Sequence, residues 1–156
     1  MKTTSRARNN ARLYAVQALY QRRIAETPFD ELKVQFHADN ADRHETDWIF
    51  FYRLIDAIRI SDEEIEQYIS ENSKDGNLDL MNYVDVSVLK VAVAELIECR
   101  ENPYQIIIKE YVEIAYNMGT DKGYLFVNGL LQNLSKIIRP LEYKEKKATS
   151  NVEIVS

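Results

Sequence analysis

Apolar residues recur at helical spacing along almost the whole chain. Residues 7–25 contain neither Gly nor Pro and are mostly good helix formers. Ala11, Ala15, Ala18 and Leu19 share one stripe with Tyr14 beside it, and Leu13, Val16, Tyr20 and Ile24 share a second. Beyond Leu13 the segment is apolar around much of its circumference, which predicts a central buried helix. Its first turns are polar, with Arg8 and Arg12 one turn apart on the same side. The basic beginning of this helix is therefore expected to emerge from the body.

Further helices follow by the same reasoning. Thr27-Pro28 starts a short second helix with Phe29, Leu32 and Phe36 on its apolar face. The polar connector HADNADRHE leads to a strongly apolar third helix over 47–60. Ser61 followed by Glu64 is a capping box, so a fourth helix is expected to start there and end near Asn72. SKDGN reads as a loop, and Asp85 as the N-cap of a helix over 86–99. That run is rich in β-branched residues, but its length and flanks favour a helix over a strand. Asn102-Pro103 starts the next helix and Gly119 closes it after Met118. A last helix is expected over about 121–138, stopped by Pro140. The reading is all-α, about seven helices in one domain over 1–140, with 141–156 a disordered polar tail. No repeat at solenoid spacing is present.

Composition agrees. A chain of 156 residues with 46 % hydrophobic residues can bury a sizeable core, and 4 Gly with 3 Pro are too few for the turns of an all-β fold. No apolar run reaches the ~18 residues of a membrane span, and no signal-peptide core follows the basic N-terminus. The expectation is a soluble cytoplasmic protein.

Charge changes the picture more. The net charge is −5, yet Lys2, Arg6, Arg8, Arg12, Arg22 and Arg23 all precede the first acid, Glu26. The middle of the chain is strongly acidic. An anionic protein with a purely basic first helix suggests a local polyanion contact, and its acidic middle suits a basic protein.

Catalytic chemistry finds no support. His37 and His44 flank a polar loop, and Cys99 sits on an apolar helix face as a structural thiol would. One Cys excludes an internal disulfide and any multi-cysteine zinc site. Asp39, Asp42 and His44 lack the spacing of a calcium loop. Neither a P-loop nor G-x-G-x-x-G is present. No catalytic residue, cofactor or metal is expected.

One constellation remains: the basic helix start at Lys2, Arg6, Arg8 and Arg12, the aromatic Tyr20, and MGTDKGYLFVNGLL at 118–131. In the last, one helix ends at Gly119 and the next begins with free backbone N–H groups that attract phosphate. Lys122 adds charge, and Tyr124 or Phe126 can stack on a base. Cations with π-faces suit single-stranded nucleic acid. Alternatively, Tyr20 and Phe126 are core residues. Gly129, which costs ~1 kcal/mol in mid-helix, reads as a helix–helix packing contact.

ARLYAVQALYQ at 11–21, LKVAVAEL at 89–96, PYQIIIKEYVEIA at 103–115 and LFVNGLL at 125–131 resemble, in order and spacing, the NusB transcription antitermination factor family. The likeness covers about residues 6–140. It implies two packed helical subdomains. It also implies binding of boxA RNA together with NusE, a small-subunit ribosomal protein, within an RNA polymerase antitermination complex acting notably on ribosomal RNA operons. By position, Arg8 and Arg12 match the family's arginine-rich stretch, Tyr20 its AVQALY tyrosine and Phe126 its FVNG phenylalanine. Asp85 falls where the family has an acid near the RNA and NusE contacts. Asn9 and Asn10 interrupt the arginine run, with Arg6 a compensation, and Lys122 stands where a common member has an acid. The resemblance implies an adaptor without enzymatic activity. Two alternatives are an accessory domain of an RNA methyltransferase and a structural homodimer that buries the basic helix.

Overall fold

The computed structural model describes residues 3–43, 45–74 and 76–146. Among these there are six α-helices, one 3-10 turn and no strand. Lys2, His44, Lys147 and the rest of the expected tail lie outside the described residues.

Helix α1 (Ser5–Ala25) starts where the Thr4 hydroxyl accepts the Ala7 N–H at 3.0 Å. It closes at Glu26, whose left-handed φ of 55° lets its N–H reach the Arg22 carbonyl. Arg22 and Arg23 in the last turn suit the negative helix end. Its alanine stripe is buried as expected. The second stripe is not: Val16 is buried, but Tyr20 and Ile24 are exposed. One side of α1 therefore faces solvent along its C-terminal half.

Helix α2 (Phe29–Asn40) anchors through Leu32. Helix α3 (Trp48–Asn72) is a single run with a kink at Ser61, at φ −109° and ψ 20°. The capping-box residue marks the kink, so the two helices expected there are two arms of one rod. After the 3-10 turn (Leu78–Leu80), helix α4 (Tyr83–Glu98) is capped by Asn82 and not by Asp85. The Asn82 side-chain oxygen accepts the N–H groups of Val84 at 2.9 Å and Asp85 at 3.3 Å. Asp85 thus lies inside the first turn.

Helix α4 is the centre of the fold and packs on α1 and α3, and on α5 (Tyr104–Met118) and α6 (Gly123–Ile138). Val86, Val88, Leu89, Val91, Val93 and Leu96 are all buried on it. Each such side chain contributes about 1.5–3 kcal/mol. This burial on several sides overrides the strand propensity of the β-branched run. Helices α1–α3 pack among themselves on one side of α4, and α5 and α6 pair on the other, which gives the two helical halves.

The region after Pro140 differs from the expected loose tail. Residues 140–146 are helical. Glu142 accepts the Tyr104 N–H at 3.0 Å, satisfying the start of α5 where Pro103 provides no side-chain cap. Tyr143 lies 5.5 Å from the Tyr104 ring. Arg139 is buried, and its guanidinium donates to the carbonyls of Leu96 at 3.0 Å and Cys99 at 2.8 Å, closing the end of α4.

Candidate nucleic-acid interface

Helix α1 positions cations at one end and a ring at the other. At its start, Arg6 is exposed and Arg8 is half-buried. The Arg8 guanidinium lies 4.7 Å over the Phe50 ring and donates to Asn102 Oδ1 at 2.6 Å. Among the described residues neither Arg6 nor Arg8 forms an ion pair with a carboxylate, although the charge of Arg8 is felt by Glu101, which is bound to Arg53.

Arg12 corrects the expectation. It is 3 % exposed. Its Nε and Nη2 donate to the two oxygens of Glu95 at 2.9 and 2.8 Å, and Nη1 donates to Asn9 Oδ1 at 2.7 Å. Burial opposes its charge, but the Glu95 hydrogen bond and carboxylate outweigh that and hold its pKa above the ordinary guanidinium value. Arg12 is neutralised inside the body and offers nothing to a phosphate. Asn9, which breaks the arginine run, orients it.

The rings sit elsewhere. Tyr20 and Phe126 are 36 % and 38 % exposed, so neither is a core residue. Arg8 and Tyr20 lie on opposite ends of α1, about 18 Å apart at 1.5 Å per residue. The Phe126 ring stands on α6, and the cationic tip and the Tyr20 ring are therefore set apart along α1. Between them runs a groove of about 390 Å3 against α5, lined by Asn9, Asn10, Leu13 and Gln17 on one wall and Glu110 and Asn117 among others on the opposite one. Its amide side chains offer both donors and acceptors.

Lys122 is exposed immediately before α6, whose first turn has no side-chain cap. Asp85 lies beneath this junction, 6 % exposed. A Cβ at Gly123 would fall 2.5 Å from its Oδ1, and one at Gly119 would fall 3.4 Å away. Both glycines leave room for the carboxylate. Its Oδ1 has no hydrogen-bond partner, and burial pushes the carboxyl pKa up. Asp85 is enclosed, so a docking protein does not reach it on this surface; this corrects its assignment as a partner contact.

Two features escaped the sequence. Tyr83, 44 % exposed at the start of α4, has the Arg23 guanidinium 4.8 Å over its ring. An aromatic directly after a capping Asn is the only local sign of it. Gly129 faces open space, with nothing within 4 Å of a built Cβ, so it is not an internal packing contact. Cys99 is buried and its thiol is pushed up to about 11 by that burial, consistent with an inert structural residue. Among the described residues no cluster of metal-ligating side chains occurs, and no helix is long and apolar enough to cross a membrane.

The family pattern described as the NusB family matches residues 9–136. The transcription antitermination protein NusB of Colwellia psychrerythraea is 36 % identical over 86 % of this chain and 96 % of its own length. The protein of that name from Legionella pneumophila is 33 % identical over 90 % of this chain and 95 % of its own. Among solved structures, T. maritima NusB superposes with a TM-score of 0.74 at 28 % identity, covering 86 % of this chain and 93 % of that one. A structure of antitermination factors NusB and NusE in complex with dsRNA gives a TM-score of 0.75 over 91 % of this chain and 99 % of that one. At 23 % identity that likeness concerns the fold. Matched over most of its length by pattern, sequence and fold, the chain belongs to the NusB family.

Proposed function

We propose that this protein is a transcription antitermination factor that binds boxA RNA together with NusE and promotes processive transcription of ribosomal RNA operons in the cytoplasm. The observation that carries the reading is the solvent-facing side of α1 and the start of α6. Cations without a carboxylate partner at Arg6 and Arg8 position phosphates, Tyr20 presents a ring on α1, and Phe126 presents another one turn after Lys122 on α6. The family's name and the complex of a fold neighbour with NusE and dsRNA support it. The protein acts as an adaptor for the RNA polymerase complex, without enzymatic activity of its own. The acidic middle of the chain meets the basic ribosomal protein, and binding of RNA and NusE is thermodynamically coupled.

The test is a titration with boxA RNA, with and without NusE, at two salt concentrations. Tighter binding with NusE and a fall in affinity with salt are expected. Equal affinity for boxA and a scrambled RNA, unaltered by NusE, removes the reading.

A further inference from the structure

One buried amide stands between the interior ion pair and the surface. Asn102, in the loop before α5, is 3 % exposed, and each of its polar atoms is held. Its backbone N–H donates to the Cys99 carbonyl at 3.0 Å, and its carbonyl accepts from the Arg139 guanidinium. Its side-chain Nδ2 donates to Glu95 Oε2 at 3.1 Å, and its Oδ1 accepts from Arg8 Nη2 at 2.6 Å. Chemistry sets the direction of this amide. The Glu95 carboxylate, tied to Arg12, only accepts hydrogen bonds. The NH2 end of Asn102 must therefore face Glu95, which turns its oxygen outward to Arg8.

Arg8 is clamped as a result. Its guanidinium lies 4.7 Å over the ring of Phe50, itself a buried residue, with Asn102 Oδ1 at one edge. That hydrogen bond engages one nitrogen and leaves the other donors of the fork without a partner among the described residues. Glu101, whose carboxyl feels the Arg8 charge, is engaged by Arg53. A long cationic side chain loses rotamer freedom when it grips a phosphate, and a clamped one has lost it beforehand. The exposed Arg6 has no such clamp.

We propose, resting on the RNA reading above, that Asn102 is a positioning residue for RNA binding: oriented by the buried Arg12–Glu95 pair, it holds the Arg8 guanidinium on Phe50, ready for one phosphate of the single strand. Arg12 touches no RNA, yet it acts on the surface through Glu95 and Asn102.

The test is a double-variant cycle, read by fluorescence anisotropy of labelled boxA RNA with the full chain and NusE over a series of salt concentrations. Asn102→Ala is expected to weaken binding by about threefold to tenfold. The slope of log K against log salt stays unchanged, because Arg8 keeps its charge, whereas Arg8→Ala makes it shallower by about 0.7. In the Arg8→Ala background Asn102→Ala has no further effect, and in the Arg6→Ala background it keeps its full effect. Circular dichroism checks helix content. If Asn102→Ala loses it, Phe50→Leu, which removes the ring beneath Arg8, takes its place in the cycle. A variant that binds as tightly as the parent, or that weakens binding equally with and without Arg8, overturns the proposal and leaves the RNA reading standing. An Arg8→Ala variant with the parent's affinity and slope does the same. A parent chain that binds no boxA RNA overturns both.

Discussion

Arg12 and Glu95 meet in the interior through two parallel hydrogen bonds of 2.9 and 2.8 Å, with 3 % and 0 % of each residue exposed. The remaining capacity of Glu95 is filled by the Tyr111 hydroxyl at 2.7 Å and Asn102 at 3.1 Å. One carboxylate therefore ties α1, α4, α5 and the loop before α5. The Tyr111 hydroxyl titrates well above its ordinary range, through burial first and the Glu95 charge second. This pair decides what the start of α1 can do: it fixes the helix in the body and removes one arginine from the surface.

Arg12→Ala is expected to act on stability. It leaves Glu95 as an unpaired buried charge, a loss of about 3–5 kcal/mol. Urea denaturation measures it, and replacing Arg12 and Glu95 together by apolar residues of similar size should recover much of the loss. A single variant as stable as the parent would show that water reaches the pair.

Arg6→Ala should do the reverse. Arg6 is exposed with no carboxylate partner among the described residues, so its removal leaves the unfolding midpoint within about 0.5 kcal/mol of the parent. If it contacts an RNA phosphate, the slope of log K against log salt becomes shallower by about 0.7. An unchanged slope takes Arg6 out of the interface.

The helices were legible because their signals are local. The apolar spacing of 7–25, the capping pair at Ser61 and Glu64, and Pro103 with Gly119 all act within one or two turns. The burial of Arg12 was not legible. An arginine one turn from Arg8 looks the same on paper whether or not its counter-ion waits on another helix, and Glu95 is distant in sequence. Asp85 looked like a cap because it precedes an apolar run. Asn82 does that work three residues earlier, through an oxygen that reaches two N–H groups. Residues after Pro140 looked loose because the tie of Glu142 to the Tyr104 N–H is also long-range. Of the candidate site, Arg6, Tyr20 and Phe126 lie at the surface and Arg8 is half-buried, a placement their sequence spacing left open between surface and core. The support that Arg23 gives Tyr83 depends on how α1 crosses α4.

The two α6 glycines should respond with opposite sign. At Gly129 a methyl group meets nothing within 4 Å, so Gly129→Ala gains about 1 kcal/mol from helix propensity. At Gly123 the same methyl would sit 2.5 Å from Asp85 Oδ1, where the buried carboxylate has little room to retreat. Gly123→Ala is therefore expected to lower the melting temperature even though alanine is the better helix former. If RNA or NusE passes close to α6 at Gly129, the stabilised variant will bind it more weakly. Two glycines that shift the melting temperature in the same direction would contradict the geometry around Asp85.

Asp85 sets a pH dependence whose sign follows from its enclosure. Burial raises its pKa in the folded state above the ordinary aspartate value. Between those two values the folded chain holds a proton that the unfolded chain releases. Its contribution to stability therefore falls as pH rises through that window, then stays at its lowest level. Well below the ordinary value both states are protonated and the penalty vanishes. Asp85→Asn keeps the shape and removes the charge, so its melting temperature should exceed the parent's at pH 7, with the difference shrinking toward pH 3. Subtracting the two curves cancels the titration of the other carboxylates. A difference that grows on acidification would mean that Asp85 is stabilised as an anion, by the start of α6 beside it, and that the unpaired oxygen has a donor in solution.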